Sequence, residues 1–172
     1  MILGLTGPAG AGKDTVADRL CSTYGFKKLS FAGILKRMLV AGGMPEPSRE
    51  LKEDLIPGLP FTWRDAAQKL GTEWGRGLDP DLWVKLTMSN IPAGGNWVLS
   101  DVRFPNEALA VRKSGYLVHI SGRKVVLHGG TAAHVSEAGI RFEDGDQVIN
   151  NAANMDSLLL EVATLVGELH AH

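Results

Sequence analysis

A glycine-rich stretch, GPAGAGKDT, follows the short apolar run ILGLT and precedes a helical stripe of apolar residues. Gly7, Gly12 and Lys13 match the phosphate-loop pattern G-x-x-x-x-G-K-[ST], whose backbone N–H groups wrap phosphate oxygens at a helix N-terminus. The strand, loop and helix stand in the order that this motif requires, which argues against a glycine-rich turn without a ligand. We therefore predict a phosphate-binding loop after a buried strand, with Lys13 bound to the outer phosphates.

The residue after the lysine departs from the pattern. Asp14 stands where a hydroxyl residue is usual, and Thr15 comes one position later. A carboxylate about 5 Å from a phosphate is repelled by roughly 3 kcal/mol at an effective dielectric of about 20. Because Mg²⁺ prefers oxygen ligands, we expect Asp14 to hold magnesium and Thr15 to bond a phosphate oxygen. The alternative left open is that Asp14 only stabilises the start of the helix and faces solvent.

Five segments have the apolar pattern of strands and alternate with helical patterns. The predicted strands are Ile2–Thr6, FKKLSF, Trp97–Ser100, GYLVHIS and DQVINN. This alternation predicts an α/β fold with a parallel five-stranded sheet flanked by helices, in a single domain over residues 1–172. Residues 43–61 contain four prolines, so we expect an ordered excursion there rather than core. Residues 122–136 are rich in glycine and small polar residues and predict a loop.

Two charged residues follow the Trp97–Ser100 strand. Ligands of parallel α/β sheets bind beyond the C-terminal ends of the strands, where the glycine loop is also expected. Asp101 lies where phosphate-loop enzymes often place a carboxylate that handles magnesium, and Arg103 can bind a phosphate bidentately. The alternatives are a helix N-cap for Asp101 and a plain surface residue for Arg103. Since two separate segments converge on one sheet edge, we expect both residues at the reaction centre.

The middle of the chain offers weaker signals. Arg64 and Gln68 are four residues apart and share one face of a predicted helix, where they suit the phosphate and base edge of a small nucleotide. On spacing alone a solvated face is the better interpretation, and Lys36 alone would be read as a surface lysine. Three tryptophans of this region are expected to pack in the core: Trp63, Trp74 and Trp83.

Composition excludes several classes of function. The net charge of −1 gives no basic field for nucleic acid, and no segment is long and apolar enough for a membrane span. The single cysteine, Cys21, rules out an intrachain disulfide, and no Cys/His spacing indicates zinc. We therefore expect a cytoplasmic protein that binds neither nucleic acid nor membrane.

Several blocks resemble the deoxynucleoside monophosphate kinase family, described chiefly from bacteriophages. Besides the Lys-Asp-Thr end of the glycine loop, they are SFAGILKRML, RDAAQKLGTEW, LWVKL, SDVRFPNEA and DGDQVINN. The resemblance implies a P-loop kinase core similar to adenylate kinase, an NMP-binding helical excursion over residues 31–95 and a short lid over 122–136. It implies transfer of the ATP γ-phosphoryl group to a deoxynucleoside 5′-monophosphate with Mg²⁺, in the host cytoplasm if the protein is phage-encoded.

The resemblance also assigns residues to roles. The implied ATP-binding residues are Gly7, Gly10, Gly12, Lys13, Asp14, Thr15 and Asn151, the last near the adenine. The implied acceptor-binding residues are Lys36, Arg64, Gln68 and Trp83. The implied catalytic residues are Lys13, Asp101, Arg103 and Arg123, the last at the base of the lid, and the implied metal ligands are Asp14 and Asp101. The chain departs from the family by being shorter between residues 40 and 62 and by having few arginines in the lid.

Two other functions stay open on the sequence alone. One is another small-molecule P-loop kinase, such as a dephospho-coenzyme A kinase, which would accept a pantetheine-bearing substrate. The other is a non-catalytic nucleotide-binding regulator, against which Arg64, Gln68 and Arg103 argue because a sensor needs no acceptor pocket. The sequence also leaves open which bases are accepted and whether the chain forms a homodimer.

Overall fold

The computed structural model describes residues 1–46, 53–121 and 139–171. Contacts between Cα atoms divide the chain into two compact units, Met1–Leu29 with Pro92–His172, and Ser30–Ile91. The elements of the first unit are β1 (Ile2–Thr6), α1 (Lys13–Tyr24), β2 (Lys27–Leu29), β3 (Trp97–Leu99), α5 (Pro105–Ser114), β4 (Tyr116–Ser121), β5 (Gln147–Asn150) and α6 (Met155–His170). Those of the second unit are α2 (Ala32–Ala41), α3 (Trp63–Gln68), a π-helical segment (Lys69–Arg76) and α4 (Leu82–Ser89).

The first unit is built on one sheet. Its described strands lie in the order β2-β3-β1-β4-β5, and each neighbouring pair is parallel. β1 is therefore the central strand, and the glycine loop leaves the sheet at the middle of its C-terminal edge. Leu99, the last residue of β3, pairs with Gly4 of β1, so the segment after β3 runs alongside the end of β1 towards that loop. The prediction of a parallel five-stranded sheet flanked by helices is confirmed.

Apolar side chains explain why helices pack on this sheet. Val16 and Leu20 lie on one side of α1, and Leu158, Val162 and Leu165 repeat along α6 at helical spacing. These residues form one buried cluster with side chains of β1, β4 and β5. Cys21 is partly buried and packs against the cluster. α5 packs against β1 and β4.

The second unit is helical. Thr62 begins α3 with a capping box, in which its Oγ1 accepts from the N–H of Asp65 and the Asp65 carboxylate accepts from the N–H of Thr62. α2 packs against α3, the π-helical segment and α4. Trp63 is buried, and its Nε1 donates to the carbonyl of Pro45 at 2.8 Å.

The prediction that Trp74 packs in the core is wrong, because 47% of this residue is exposed. Trp74 lies in the π-helical segment, where Gly71 rather than a large side chain faces Leu35. Gly75 likewise lies against the Trp83 indole. The wider turn thus puts glycines towards the buried side chains and leaves Trp74 outside, while Trp63 and Trp83 are buried as expected.

In the part of the chain that the structure describes, no helix is both long and apolar enough to cross a membrane.

Candidate functional site

The glycine loop joins β1 to α1 in a conformation that requires glycine. Gly7, Gly10 and Gly12 have φ angles of 138°, 74° and 99°, in the region that side chains rarely adopt. A Cβ at Gly7 would collide with the carbonyl oxygen of Ile120, and one at Gly12 would lie 2.6 Å from the amide nitrogen of Asn151. Gly12 directly precedes α1, so the first N–H groups of that helix face the loop. The segment thus has the geometry of an anion-binding loop.

Lys13 lies against this loop. Its ammonium group donates to the carbonyl oxygens of Gly7 and Pro8, each at 2.8 Å. Burial, followed by the nearby charge of Arg103, lowers the pKa of Lys13, while the carboxylates of Asp14 and Asp101 act in the opposite direction. Lys13 is therefore within electrostatic range of Asp14 on α1 and of Asp101 and Arg103 in the segment after β3.

The segment after β3 is held in place by its backbone. The N–H of Val102 donates to the carbonyl of Leu5 at 3.1 Å, which ties the segment to the end of β1. The carboxylate of Glu107 accepts the N–H groups of Arg103 and Phe104 at 2.8 and 3.1 Å. Glu107 is only 3% exposed. These bonds fix the backbone between Asp101, which is half-buried, and Arg103, whose side chain is exposed.

Sequence reasoning missed Glu107. The signal was present, because Glu107 lies three residues after Phe104, the residue that precedes α5. A glutamate at that spacing accepts the backbone N–H at the start of a helix.

Asp14 has a partner that the sequence did not suggest. The ammonium of Lys28 on β2 donates to Oδ1 of Asp14 at 2.9 Å and to Oδ1 of Asp18 at 3.0 Å. The Asp14 side chain is 62% exposed. Whether Asp14 binds a metal or only stabilises the start of α1, its carboxylate also accepts a hydrogen bond from the Lys28 ammonium.

Asp14 and Asp101 could hold magnesium only together with oxygen atoms from a phosphate or from water. Among residues 1–46, 53–121 and 139–171, no group of three or more His, Cys, Asp or Glu side chains could hold a metal ion. Asp14 and Asp101 nevertheless both act on Lys13, so two oxygen-donor side chains lie near the loop. This donor set fits Mg²⁺ bound by one or two carboxylates together with phosphate oxygens and water.

Asn151 lies beneath the loop. It is 2% exposed, and its Nδ2 donates to the carbonyl of Ala11 at 2.8 Å. Its Oδ1 is buried and has no hydrogen-bond partner within the described residues. Its side chain thus anchors the glycine loop to the end of β5, and a role near the adenine stays a prediction. Thr15, in the first turn of α1, is half-buried.

Two predicted acceptor residues lie on the surface of α3. The side chains of Arg64 and Gln68 are exposed, one helical turn apart. A guanidinium nitrogen of Arg64 lies 2.6 Å from Oε1 of Glu53, and both side chains are well exposed. Arg64 is therefore paired with an exposed carboxylate that would compete with an anionic ligand.

The other two predicted acceptor residues differ in burial. Lys36, on α2, is half-exposed and lines a cavity of about 330 Å³. The remaining residues of that lining are Arg37, Val40, Ala41 and Glu46. Trp83, on α4, is 3% exposed and its indole N–H donates to the carbonyl of Gly71 at 2.7 Å. The structure places Trp83 in the core of its unit, and contact with the acceptor stays a prediction.

Arg123 and the predicted lid over 122–136 lie outside the described residues.

The chain is similar to solved structures that include two carbohydrate kinases. An unliganded sugar kinase from a Janibacter species is 13% identical, with 96% of this chain and 94% of that chain covered and a TM-score of 0.47. A gluconokinase from Sinorhizobium meliloti is 14% identical, with 98% and 95% covered and a TM-score of 0.40. Likenesses this distant support no argument about function.

No curated protein matches the chain. The family model described as deoxynucleotide monophosphate kinase matches residues 50–162, which is more than half of the chain and includes the segment after β3 and Asn151. The match confirms the resemblance found in the sequence blocks. The chain therefore belongs to the deoxynucleotide monophosphate kinase family and is a kinase built around a phosphate-binding loop.

Proposed function

We propose that this protein transfers the γ-phosphoryl group of ATP to the 5′-phosphate of a deoxynucleoside monophosphate, giving ADP and the deoxynucleoside diphosphate. The observation that carries the proposal is the convergence of Lys13, Asp101 and Arg103 at the glycine loop, in a chain of this family. Phosphoryl transfer needs aligned phosphates and charge neutralisation rather than covalent help from the protein. A loop, two cations and a carboxylate at one sheet edge meet that need.

The loop binds the donor. Backbone N–H groups of residues 8–13 and the first turn of α1 would surround the ATP phosphates, helped by the positive end of the helix dipole. Lys13 bonds two loop carbonyls at 2.8 Å. Since an ammonium group has three N–H donors, Lys13 can keep contact with the loop and still donate to an outer phosphate oxygen. Gly10 and Thr15 would complete the contacts to the phosphates.

Arg103 and Asp101 would act at the transferred group. Arg103 is exposed and close enough to lower the pKa of Lys13, so a phosphate bound by both residues would relieve their mutual repulsion. Bound Mg²⁺ supplies positive charge to the phosphate oxygens, and we assign Asp101 as the residue that holds it. Asp14 is a second carboxylate for this purpose, but one of its oxygens already accepts from Lys28.

We assign acceptor binding to the helical unit, Ser30–Ile91, which overlaps the excursion predicted over residues 31–95. Arg64 suits the acceptor phosphate, because its present partner Glu53 is an exposed carboxylate that competes weakly. Gln68 lies one turn further on α3 and suits a base edge. Lys36 adds charge on α2. Trp83 would support this surface from beneath.

An acceptor panel tests the proposal. We would measure ADP release from MgATP with each of the four dNMPs, the four NMPs, dephospho-coenzyme A and no acceptor. The expected result is release that depends on at least one dNMP and falls about a hundredfold in Lys13→Ala. Lys113→Ala, at an exposed lysine of α5, is the matched control and should keep wild-type rates. ADP release that occurs only with dephospho-coenzyme A would contradict the proposal. Absence of ADP release with every acceptor in the panel would contradict it too.

A further inference from the structure

Asn151 links the end of β5 to the glycine loop through two hydrogen bonds. Its backbone N–H donates to the carbonyl of Ser121 at 2.7 Å, which fixes Asn151 beside the end of β4. Its side-chain Nδ2 donates to the carbonyl of Ala11 at 2.8 Å, from 140 positions away in the chain. Asn151 is 2% exposed and Ala11 is 1% exposed, so this second bond lies inside the protein.

The bond to Ala11 sets the orientation of the next N–H group of the loop. The peptide between Ala11 and Gly12 is trans, so its C=O and its N–H point in opposite directions. Because the carbonyl of Ala11 faces Asn151, the N–H of Gly12 faces away from Asn151. That N–H is one of the backbone donors to which the proposed function assigns the ATP phosphates.

Gly12 also packs directly on the Asn151 amide. A Cβ at Gly12 would lie 2.6 Å from Nδ2 of Asn151, which leaves no room for a side chain between them. Gly12 immediately precedes α1. The end of the loop, where the first N–H groups of the helix begin, therefore rests on this one side chain.

The gain in stability from this amide is small. A carbonyl oxygen can only accept, so the nitrogen of the amide must face Ala11. Oδ1 is then buried, and it has no hydrogen-bond partner within the described residues. One buried hydrogen bond gained and one buried oxygen left unpaired have effects of similar size and opposite sign. We therefore look for the role of the bond in the conformation of the loop.

We propose that Asn151 is a positioning residue of the nucleotide site, which holds the carbonyl of Ala11 and so directs the N–H of Gly12 towards the phosphates of ATP. It acts through the backbone of the loop and does not contact the nucleobase, since a side chain this buried has almost no free surface for one. The inference rests on the proposed function in taking the phosphates of ATP as the ligand of the loop.

The effect of losing the amide follows from the planarity of the peptide. Without a donor at position 151, the buried carbonyl of Ala11 turns towards water or another donor. The N–H of Gly12 turns with it, because both groups belong to one rigid peptide. Loss of one hydrogen bond to a charged phosphate lowers affinity about tenfold or more. The loss should be the same for any ligand that carries the phosphates, with or without a base.

Inorganic tripolyphosphate separates the loop from the base, because it has three linked phosphates and no nucleoside. The experiment is calorimetric titration of the full-length protein with ATP and with tripolyphosphate at one Mg²⁺ concentration. Asn151→Leu removes the donor, keeps a similar shape and changes no charge. We expect it to lower the affinity for both ligands about tenfold, by factors that agree within about twofold.

The neighbouring residue provides a matched control. Asn150 is exposed, and its Oδ1 accepts the N–H of Ala152 at 3.0 Å, away from the loop contacts of Asn151. Asn150→Leu makes the same substitution and should change both affinities by less than about twofold. The melting temperature of each variant checks that it is folded. If Asn151→Leu does not fold, Asn151→Ala carries the same prediction, because the shorter side chain cannot crowd Gly12.

Two results would overturn the inference. A loss of ATP affinity with unchanged affinity for tripolyphosphate would mean that Asn151 contacts the nucleoside. Unchanged affinity for both ligands in a folded variant would mean that the bond to Ala11 does not position the phosphate donors. The acceptor panel separates this test from the proposed function. ATP binding without dNMP phosphorylation would refute that function and leave the comparison of the Asn151 and Asn150 variants valid.

Discussion

Asp146 lies in a charged network whose contribution to stability can be estimated. The guanidinium of Arg112 donates to both of its carboxylate oxygens, at 2.9 and 2.7 Å, and also contacts Glu143 and the carbonyl of Arg141. His119 Nε2 lies 2.8 Å from Asp146 Oδ2. The Asp146 side chain is 2% exposed. The network therefore ties the segment before β5 to α5 and β4.

The pKa of Asp146 shows how much this network contributes to the free energy of unfolding. Burial alone would raise it, but hydrogen bonds from Arg112, the N–H of Glu143 and His119 outweigh burial and lower the pKa from 3.8 to about 2. A shift of that size corresponds to about 2 kcal/mol of stability. Because the folded pKa lies below the unfolded pKa, this stability is fully present above about pH 4 and is lost as the pH falls towards about 2.

Asp146→Asn removes the charge with little change of shape. We expect the free energy of unfolding to fall by about 2 kcal/mol or more near pH 7, since Arg112 also loses its buried carboxylate partner and keeps the exposed carboxylate of Glu143. The part of the difference due to titration should fall to about half near pH 3, because the carboxyl of the unfolded chain is then largely protonated while that of folded Asp146 is still mostly ionised.

The assay is urea unfolding followed by circular dichroism over that pH range. Asp144→Asn is the matched control, because Asp144 is an exposed aspartate two positions away and should change stability by less than about 0.5 kcal/mol. A difference between wild type and Asp146→Asn that stays constant between about pH 7 and pH 3 would refute the account of this network.

Three further predictions concern the site. Lys13→Ala should remain folded and lose about a hundredfold in kcat/KM, because it removes the cation bound inside the glycine loop; near-wild-type turnover would refute the loop assignment. Arg64→Ala should raise KM for the monophosphate far more than KM for ATP, and equal changes in both would show that the acceptor assignment is wrong. Asp101→Asn should increase the magnesium concentration needed for half-maximal rate several-fold, and Asp14→Asn should increase it less; the reverse order would make Asp14 the main metal ligand.

Local features of the fold were predictable from the sequence. The glycine loop and α1 follow from Gly7, Gly12 and the apolar periodicity, because each is set within a short stretch of chain. The parallel sheet follows from the alternation of strand and helix patterns along the chain. Convergence of the loop with Asp101 and Arg103 was also predictable, since the C-terminal ends of parallel strands share an edge.

Contacts between distant segments were not predictable in the same way. Lys28 meets Asp14 only because β2 pairs with β3 and lies beside α1. Arg112, His119 and Asp146 meet only once β5 joins the sheet, and each alone has the pattern of an ordinary surface or strand residue. Trp74 is exposed because it lies in the π-helical segment. Gly71 and Gly75 do not by themselves predict a π-helix, so this exposure could not be read from the sequence.

The identity of the phosphorylated product distinguishes phosphoryl transfer to a dNMP from hydrolysis of ATP. Wild-type protein would be incubated with MgATP and each accepted dNMP, and the nucleotides would be separated by anion-exchange chromatography. The account predicts equal amounts of ADP and deoxynucleoside diphosphate, both reduced about a hundredfold in Lys13→Ala and unchanged in Lys113→Ala. ADP formed with free phosphate in place of the deoxynucleoside diphosphate would contradict it.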